Sequence, residues 1–260
     1  AVCLLAIFGV SIFGIQQAKA VDVNNQSGLE NINNYTRGED VNITRDINLT
    51  NANLPDITGV INAVVNGNNN TISGSIFNSD ADQTLTFGHY TLQDNSSLTF
   101  NNVIFSTDTT IQGTQNWQSR AWTVAGLIAQ NMASTSTVNI NFSDFINNNV
   151  YLYQDRDGSN MDLQNYINGG LLNNAGEMNI TSSDFNNNTI RVATYKNETS
   201  WFNDGYAHAE MYGGIITNYE TGVLTINGNG TASMSNNNIS AYSESSTDRD
   251  PVHAIVQGGV

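Results

Sequence analysis

The sequence predicts an all-β solenoid, a chain wound into stacked coils, on three observations. The residue mix disfavours helices, short stretches alternate apolar with polar side chains, and the pattern returns at a fixed period. The period is read from LTFNNVIF at 98–105, VNINFSDF at 138–145 and MNITSSDF at 178–185, which set Phe105, Phe145 and Phe185 at intervals of 40 residues. A glycine motif repeats beside it: Gly126 in AGLI, Gly170 in GGLL and Gly214 in GGII lie 44 residues apart. A looser copy runs from Gly213 to Ser240, with Met234 where the Phe would stand. A fixed spacing in this range marks stacked supersecondary units, whereas a sandwich needs no sequence period.

Composition supports the class. Of 260 residues only 12% are charged, 42 are Asn and 2 are Pro. Asn, Thr, Ser and Gly lower helix stability because they compete for backbone hydrogen bonds or add backbone entropy. With 39% hydrophobic residues the chain can still bury a core. The net charge of −15, with 8 basic residues, repels phosphate backbones and anionic headgroups, so nucleic acid is not an expected partner.

Along the chain, residues 1–20 read as a secretory signal peptide, truncated at its start: an uncharged apolar run, then Gln16-Gln17-Ala18-Lys19-Ala20 with an A-x-A cleavage pattern. The one cysteine, Cys3, lies within it, leaving a mature chain without disulfides or thiolate metal sites. Residues 21–75 are expected to form an N-terminal cap, Asp22 to Asn34, and the first coils, because a first coil exposes a strand edge that needs covering. Residues 76–260 are expected to hold the repeats. In Val138-Asn139-Ile140-Asn141-Phe142 the alternation has the period of a half-buried strand. Two coils of about 20–22 residues fit each sequence repeat, giving roughly ten coils over about 50 Å. Phe then fills a corner of the core, the following asparagines turn the chain and stack as an amide ladder, and the glycines bend it into the next coil. The end, HAIVQGGV, looks like the start of a further coil, so the chain reads as a fragment cut at both ends.

GGLL at 169–172 and GGII at 213–216, with F-x-x-N from Phe145 to Asn148 and from Phe185 to Asn188, resemble the GGA(I/L) and FxxN repeats of polymorphic outer membrane proteins. More broadly, the pattern is similar to autotransporter passengers, a pectin-lyase-like family. The resemblance covers about residues 98–240, and departs at Leu171 and Ile215, where the family places a small residue. It implies a right-handed parallel β-helix, displayed at the bacterial cell surface or outer membrane, or released. It also implies a C-terminal translocator barrel, expected outside this stretch, with a mature chain that does not itself span the membrane. The repeat residues it picks out are Phe105, Phe145, Phe185, Asn148, Asn188, Gly169, Gly170, Gly213 and Gly214.

Two stretches, near 150–168 and 190–212, interrupt the repeat and are expected as loop insertions. Their aromatic residues, Tyr151, Tyr153, Tyr166, Tyr195, Trp201, Phe202 and Tyr206, are the ligand-contact candidates, since such rings stack on sugars or anchor protein partners. The plainer alternative is that these rings belong to the core. Asp155 to Asp162 alternates oxygen-bearing side chains, but Gly158 sits too early for an EF-hand and Tyr166 stands where Glu is required, so no metal is assigned. Acidic and basic groups that could serve an enzyme are Asp144, Asp184, Asp155, Asp157, His208 and Glu210, with Asp144 and Asp184 expected about 10 Å apart on coils two apart. His89, His208 and His253 read as unrelated repeat positions, and no Ser-His-Asp set can be assembled. No catalytic residue and no cofactor is therefore assigned. The expected function is an exported adhesin or structural stalk whose partner is a host or neighbouring-cell surface protein or glycan. A polysaccharide-degrading lyase or hydrolase is the alternative; it requires three or more ionisable side chains converging in one groove.

Overall fold

The computed structural model describes residues 20–35, 40–50, 54, 56–57, 62–75, 77–78, 86–87, 90–113, 120–157, 162–197, 206–228, 232–245 and 252–258. Residues 1–19, within the stretch read as a signal peptide, lie outside them. Nearly every described element is a short strand, and every strand pairing is parallel.

The chain visits four stacks of strands in a fixed order and then returns to the first. One layer runs through Thr137–Asn141, then Asp144–Ile146 and Asn149–Asp157, then Leu163–Asn168, then Leu172–Asn174. The next runs through Glu177–Thr181, Asp184–Asn186 and Thr189–Asn197, Ala207–Tyr212, and Ile216–Asn218. Each strand lies beside its counterpart one layer on. The first stack joins seven strands, from Val21–Val23 to Val223–Asn227.

The register corrects the size of the unit. Phe105 pairs directly with Phe145, and Phe145 with Phe185. One 40-residue repeat is therefore one layer, in place of the two 20–22-residue coils expected. A period measures the return of the chain, not the number of strands between returns, and here the turn is made wider by the pairs of long strands. With seven strands in its first stack, the structure rises about 30 Å along the stack rather than 50 Å. The stretches 150–168 and 190–212, expected as insertions, are mainly strands: Asn149–Asp157 pairs along its length with Thr189–Asn197, and Leu163–Asn168 with Ala207–Tyr212. The glycine frame moves by one residue. Gly126 aligns with Gly169 and Gly213, not with Gly170 and Gly214. These three, with Gly258, have positive φ of 52°, 64°, 54° and 69°. A side chain at Gly169 would meet the Leu172 carbonyl oxygen, and Gly170 is closed in turn by the backbone of Gly214 and the Ile190 side chain.

Alternation buries one side of each strand. Leu98, Val138 and Met178 line up, as do Phe100, Ile140 and Ile180, all at or below 1% exposure. The Phe105, Phe145 and Phe185 rings stack at centroid distances of 5.0 and 4.4 Å, and Met234 follows Phe185 in register. Such pairs add about 0.5–1.5 kcal/mol each to the area they bury. Phe142, read as part of that alternation, instead occupies the corner after its strand, with φ 50° and 58% exposure. Asn102 and Ser182 hold the equivalent left-handed corners.

Amides run through the stack in ladders. Asn148 is fully buried; its Nδ2 donates to the Asn188 Oδ1 at 2.8 Å and to the Phe105 carbonyl at 3.1 Å. Asn188 repeats this toward Asn237 and the Phe145 carbonyl, both at 2.9 Å. A second ladder joins Asn131, Asn174 and Asn218. A third joins Asn42, Asn66, Asn101 and Asn141 on the outer side of the first stack. In the first two ladders the rungs also satisfy backbone carbonyls, which is why those asparagines can be buried.

At the start, a short helix, Gln26–Glu30, follows Val21–Val23. Asn25 caps it by accepting from the Gly28 amide at 3.0 Å. Its Leu29, with Ile32, enters the same core as Ile43 and Leu49. Tyr90 donates to the Leu29 carbonyl at 3.3 Å; its burial, then the nearby Tyr35 and Glu30, push its phenol far above the ordinary value. At the other end the core positions Ile226, Met234, Val252 and Val256 are 39–48% exposed, because among the described residues no layer lies over them. Among the described residues no helix is long and apolar enough to cross a membrane.

Candidate functional site

The long strands form two further sheets that pack back to back, joined through their interior side by the Asn165 Nδ2, which donates to the Ala193 carbonyl at 2.7 Å. Their outer sides carry the aromatic residues. The interior between them becomes polar toward the ends of the strands: Gln154, Asn165, Thr194 and Lys196 are all buried, and the Asn165 amide also donates to the Thr194 hydroxyl at 3.0 Å. Among the described residues the Gln154 Oε1 and Asn165 Oδ1 have no hydrogen-bond partner.

One outer face belongs to Asn149–Asp157, Thr189–Asn197 and Asn238–Ser245. The register sets Tyr151 beside Arg191, Tyr153 beside Ala193 and Tyr242, and Asp155 beside Tyr195 and Glu244. The Tyr151 and Tyr153 rings stack at 4.8 Å, and the Arg191 guanidinium lies 4.8 Å from the Tyr151 ring centre. Such a cation over a ring gains about 0.5–1 kcal/mol at an exposed site. Tyr195 lies against Tyr242 at 5.5 Å, and the Tyr242 hydroxyl donates to the Glu244 carboxylate at 2.7 Å. Burial, then the hydrogen bond with Tyr195, push the Tyr151 phenol well above its usual value. These rings hold one another.

The opposite outer face belongs to Leu163–Asn168, Ala207–Tyr212 and Val252–Gln257. Its outward positions, read across the three strands, are Gln164, His208 and His253, then Tyr166, Glu210 and Ile255, then Asn168, Tyr212 and Gln257. Two hydrogen-bonded chains cross it. Tyr166 donates to the Gln164 Oε1 at 2.7 Å, and the Gln164 amide donates to the Tyr206 hydroxyl. Tyr212 donates to the Glu210 Oε2 at 2.7 Å while the His208 Nε2 stands 2.8 Å from the Glu210 Oε1. The His208 ring lies 5.8 Å from Tyr166, 6.2 Å from Tyr206 and 5.6 Å from His253. Burial acts to raise the Glu210 pKa, but the hydrogen bond from Tyr212 and the nearby His208 and His253 imidazoles outweigh it and hold the carboxyl below its usual range.

The sequence-expected contact residues thus divide. Tyr151, Tyr153 and Tyr195 share one face; Tyr166 and Tyr206 share the other, on the far side of the pair of sheets. Trp201 and Phe202 lie outside the described residues. None of the five described tyrosines is a fully buried core ring. His208 and His253, read as unrelated, are register partners on neighbouring strands. Counting back five residues from Gly213 and from Gly258 reaches them both, a signal hidden by a fixed period of 40 or 44. Tyr242 was not singled out, because its layer departs from the 40-residue spacing: Thr189 pairs with Asn238, 49 residues on.

The acidic pair is also closer than expected. Asp144 and Asp184 are direct register partners, one strand spacing apart, because one repeat is one layer. Burial, then the Asp184 charge, raise the Asp144 pKa. Asp184 meanwhile accepts from the Ser233 amide at 2.6 Å and from its hydroxyl at 3.0 Å. Of the oxygen-rich stretch from Asp155, residues 158–161 lie outside the described set; Asp162 accepts from the Tyr206 amide at 3.2 Å. No group of three or more His, Cys, Asp or Glu among the described residues is arranged to hold a metal ion. Comparison with protein-family models, with curated proteins and with solved structures gives no match.

Proposed function

We propose that the chain is part of an exported, surface-displayed bacterial passenger. In this reading its layers wind as a right-handed parallel β-helix of the autotransporter and polymorphic-outer-membrane-protein kind, and the molecule acts as an adhesin or stalk. The observation that carries the reading is the division of labour in the layers. The interior is spent on stacked Phe, aliphatic and Asn columns, while outward tyrosines gather on two sheet faces over successive layers. A rigid parallel stack without cysteine in its mature part suits passage through a narrow pore followed by folding outside the cell. The partner is a surface protein or glycan of a host or neighbouring cell.

The test is made on intact cells of the source bacterium. External protease is expected to release fragments of the chain, and the mature protein is expected to begin at Val21. Recovery of the chain only from the cytosol, with its leader uncleaved, would end the reading.

One observation favours the enzyme alternative, a polysaccharide lyase or hydrolase: the contact between His208 and Glu210, an orientation a general base requires. Release of reducing or unsaturated sugar ends that disappears in Glu210→Gln would install that reading instead.

A further inference from the structure

We infer that the outer face formed by Leu163–Asn168, Ala207–Tyr212 and Val252–Gln257 is a binding platform for a neutral glycan chain laid along the stack of layers. The inference rests on the surface-display reading, which places this face where polysaccharide is met. Its own support is chemical. A sugar presents apolar C–H faces ringed by hydroxyls, so a site for it needs aromatic rings beside fixed donors and acceptors. Tyr166 and Tyr206 supply rings, and His253 supplies an exposed one at the edge. Gln164, Glu210 and Tyr212 supply polar groups already held in place by the two hydrogen-bonded chains. The rotamer entropy of ordering them is spent in folding rather than in binding.

A protein partner fits this face less well. Interface anchors are large side chains that fill pockets in a dry centre, whereas here Tyr166, Gln164, Glu210 and Tyr212 are tied to one another or to Tyr206 by hydrogen bonds. An anionic polysaccharide is disfavoured by Glu210, held ionised below the usual carboxylate range, and by the net charge of −15. The opposite face differs in kind. Its Tyr151 ring is covered on one side by Tyr153 and contacted by Arg191, so its faces are occupied by its neighbours. Residues in successive layers sit one strand spacing apart, so an extended glycan running along the stack meets a ring or a polar group in each layer it crosses.

The experiment titrates the purified chain with cellohexaose and with chitohexaose, read by calorimetry and by saturation-transfer NMR. Binding of at least one is expected in the range of about 0.1–1 mM, typical of a few ring contacts on an open face. Tyr166→Ala is expected to weaken it by about tenfold or more. Glu210→Gln, which keeps the shape, is expected to weaken it severalfold. Thr99→Ala, on the outer side of the first stack, is expected to leave it unchanged. Thermal melts confirm that each variant is folded. No binding of either probe at about ten times that range, or equal loss from Thr99→Ala, overturns the inference. Cells that display the chain and adhere, yet are not inhibited by either sugar, would overturn it too while leaving surface display standing.

Discussion

Phe142 sits in a left-handed corner that its neighbours in the stack, Asn102 and Ser182, fill with residues suited to it. A non-glycine residue pays about 1–2 kcal/mol for that conformation, and Asn recovers part of it through local hydrogen bonding. Since the Phe142 ring is mostly exposed, little burial is lost by removing it. Phe142→Asn is therefore expected to raise the unfolding free energy by about 0.5–1 kcal/mol in a urea titration. Asp144 carries the opposite kind of cost. Its raised pKa means that the fold disfavours its charge, so its ionisation destabilises at neutral pH, and that penalty fades as pH falls through the raised value. Asp144→Asn should stabilise the protein at pH 7 and lose its advantage in mild acid. Glu210 has the reverse sign. Its lowered pKa contributes stability that is present above the usual carboxylate range and lost as pH falls through the lowered folded value. In melts across pH 2 to 7, Glu210→Gln should flatten the acid limb of the wild-type curve.

At the scale of the element, the buried amide ladder matters more than any single strand. Asn188 alone satisfies the Asn148 amide and side chain, the Phe145 carbonyl and the Asn237 side chain. Asn188→Ala leaves several buried groups without partners, and the expected loss is about 3–5 kcal/mol, measured by urea unfolding. Asn186→Ala, half-buried on the outer side of the preceding strand Asp184–Asn186, where it bonds Ser233 and Ser235, should cost less. A reduction of Asn188→Ala no greater than that of Asn186→Ala would show that the ladder does not support the corner. The ladder was legible in the sequence because Phe and Asn keep constant offsets from one layer to the next. Phe145 and Asn148 differ by three positions, as do Phe185 and Asn188. What was not legible is how many strands separate one Phe from the next. That number depends on how far the chain travels outward before turning back, and Asn149–Asp157 with Leu163–Asn168 travel farther than a 20-residue coil allows. The same outward excursion varies from layer to layer: Leu163 pairs with Ala207, 44 residues on, and Ala207 with Val252, 45 on. Hence a single fixed period aligned the phenylalanines but hid the His208–His253 pairing.

For the molecule as a whole, stacking makes stability a sum of contacts between neighbouring layers, so the layers need not be equally firm. The layer from Glu177 to Asn218 is covered on both sides, whereas the layer from Val223 to Gln257 is covered on one. Native-state hydrogen exchange is expected to release the amides of Val223–Asn227 and Val252–Gln257 well before those of Glu177–Thr181, with protection rising inward. Uniform protection across the layers would show a single cooperative unit instead. All-β class and parallel stacking of like on like could be anticipated from alternation and spacing, whereas four of the five described tyrosines, expected on loop insertions, lie on strands. The sharing of faces could not, because it is set by which strands turn back to back, and nothing in the alternation of one strand reports the partner behind it. The uncovered layer has a practical consequence. Among the described residues Ile226, Val252 and Val256 stand bare on its strands, a surface that an extended segment brought alongside can cover. The 260-residue polypeptide prepared by itself should therefore creep toward end-to-end association in concentrated solution, and a charged substitution at Val252 or Ile226 should keep the particles apart.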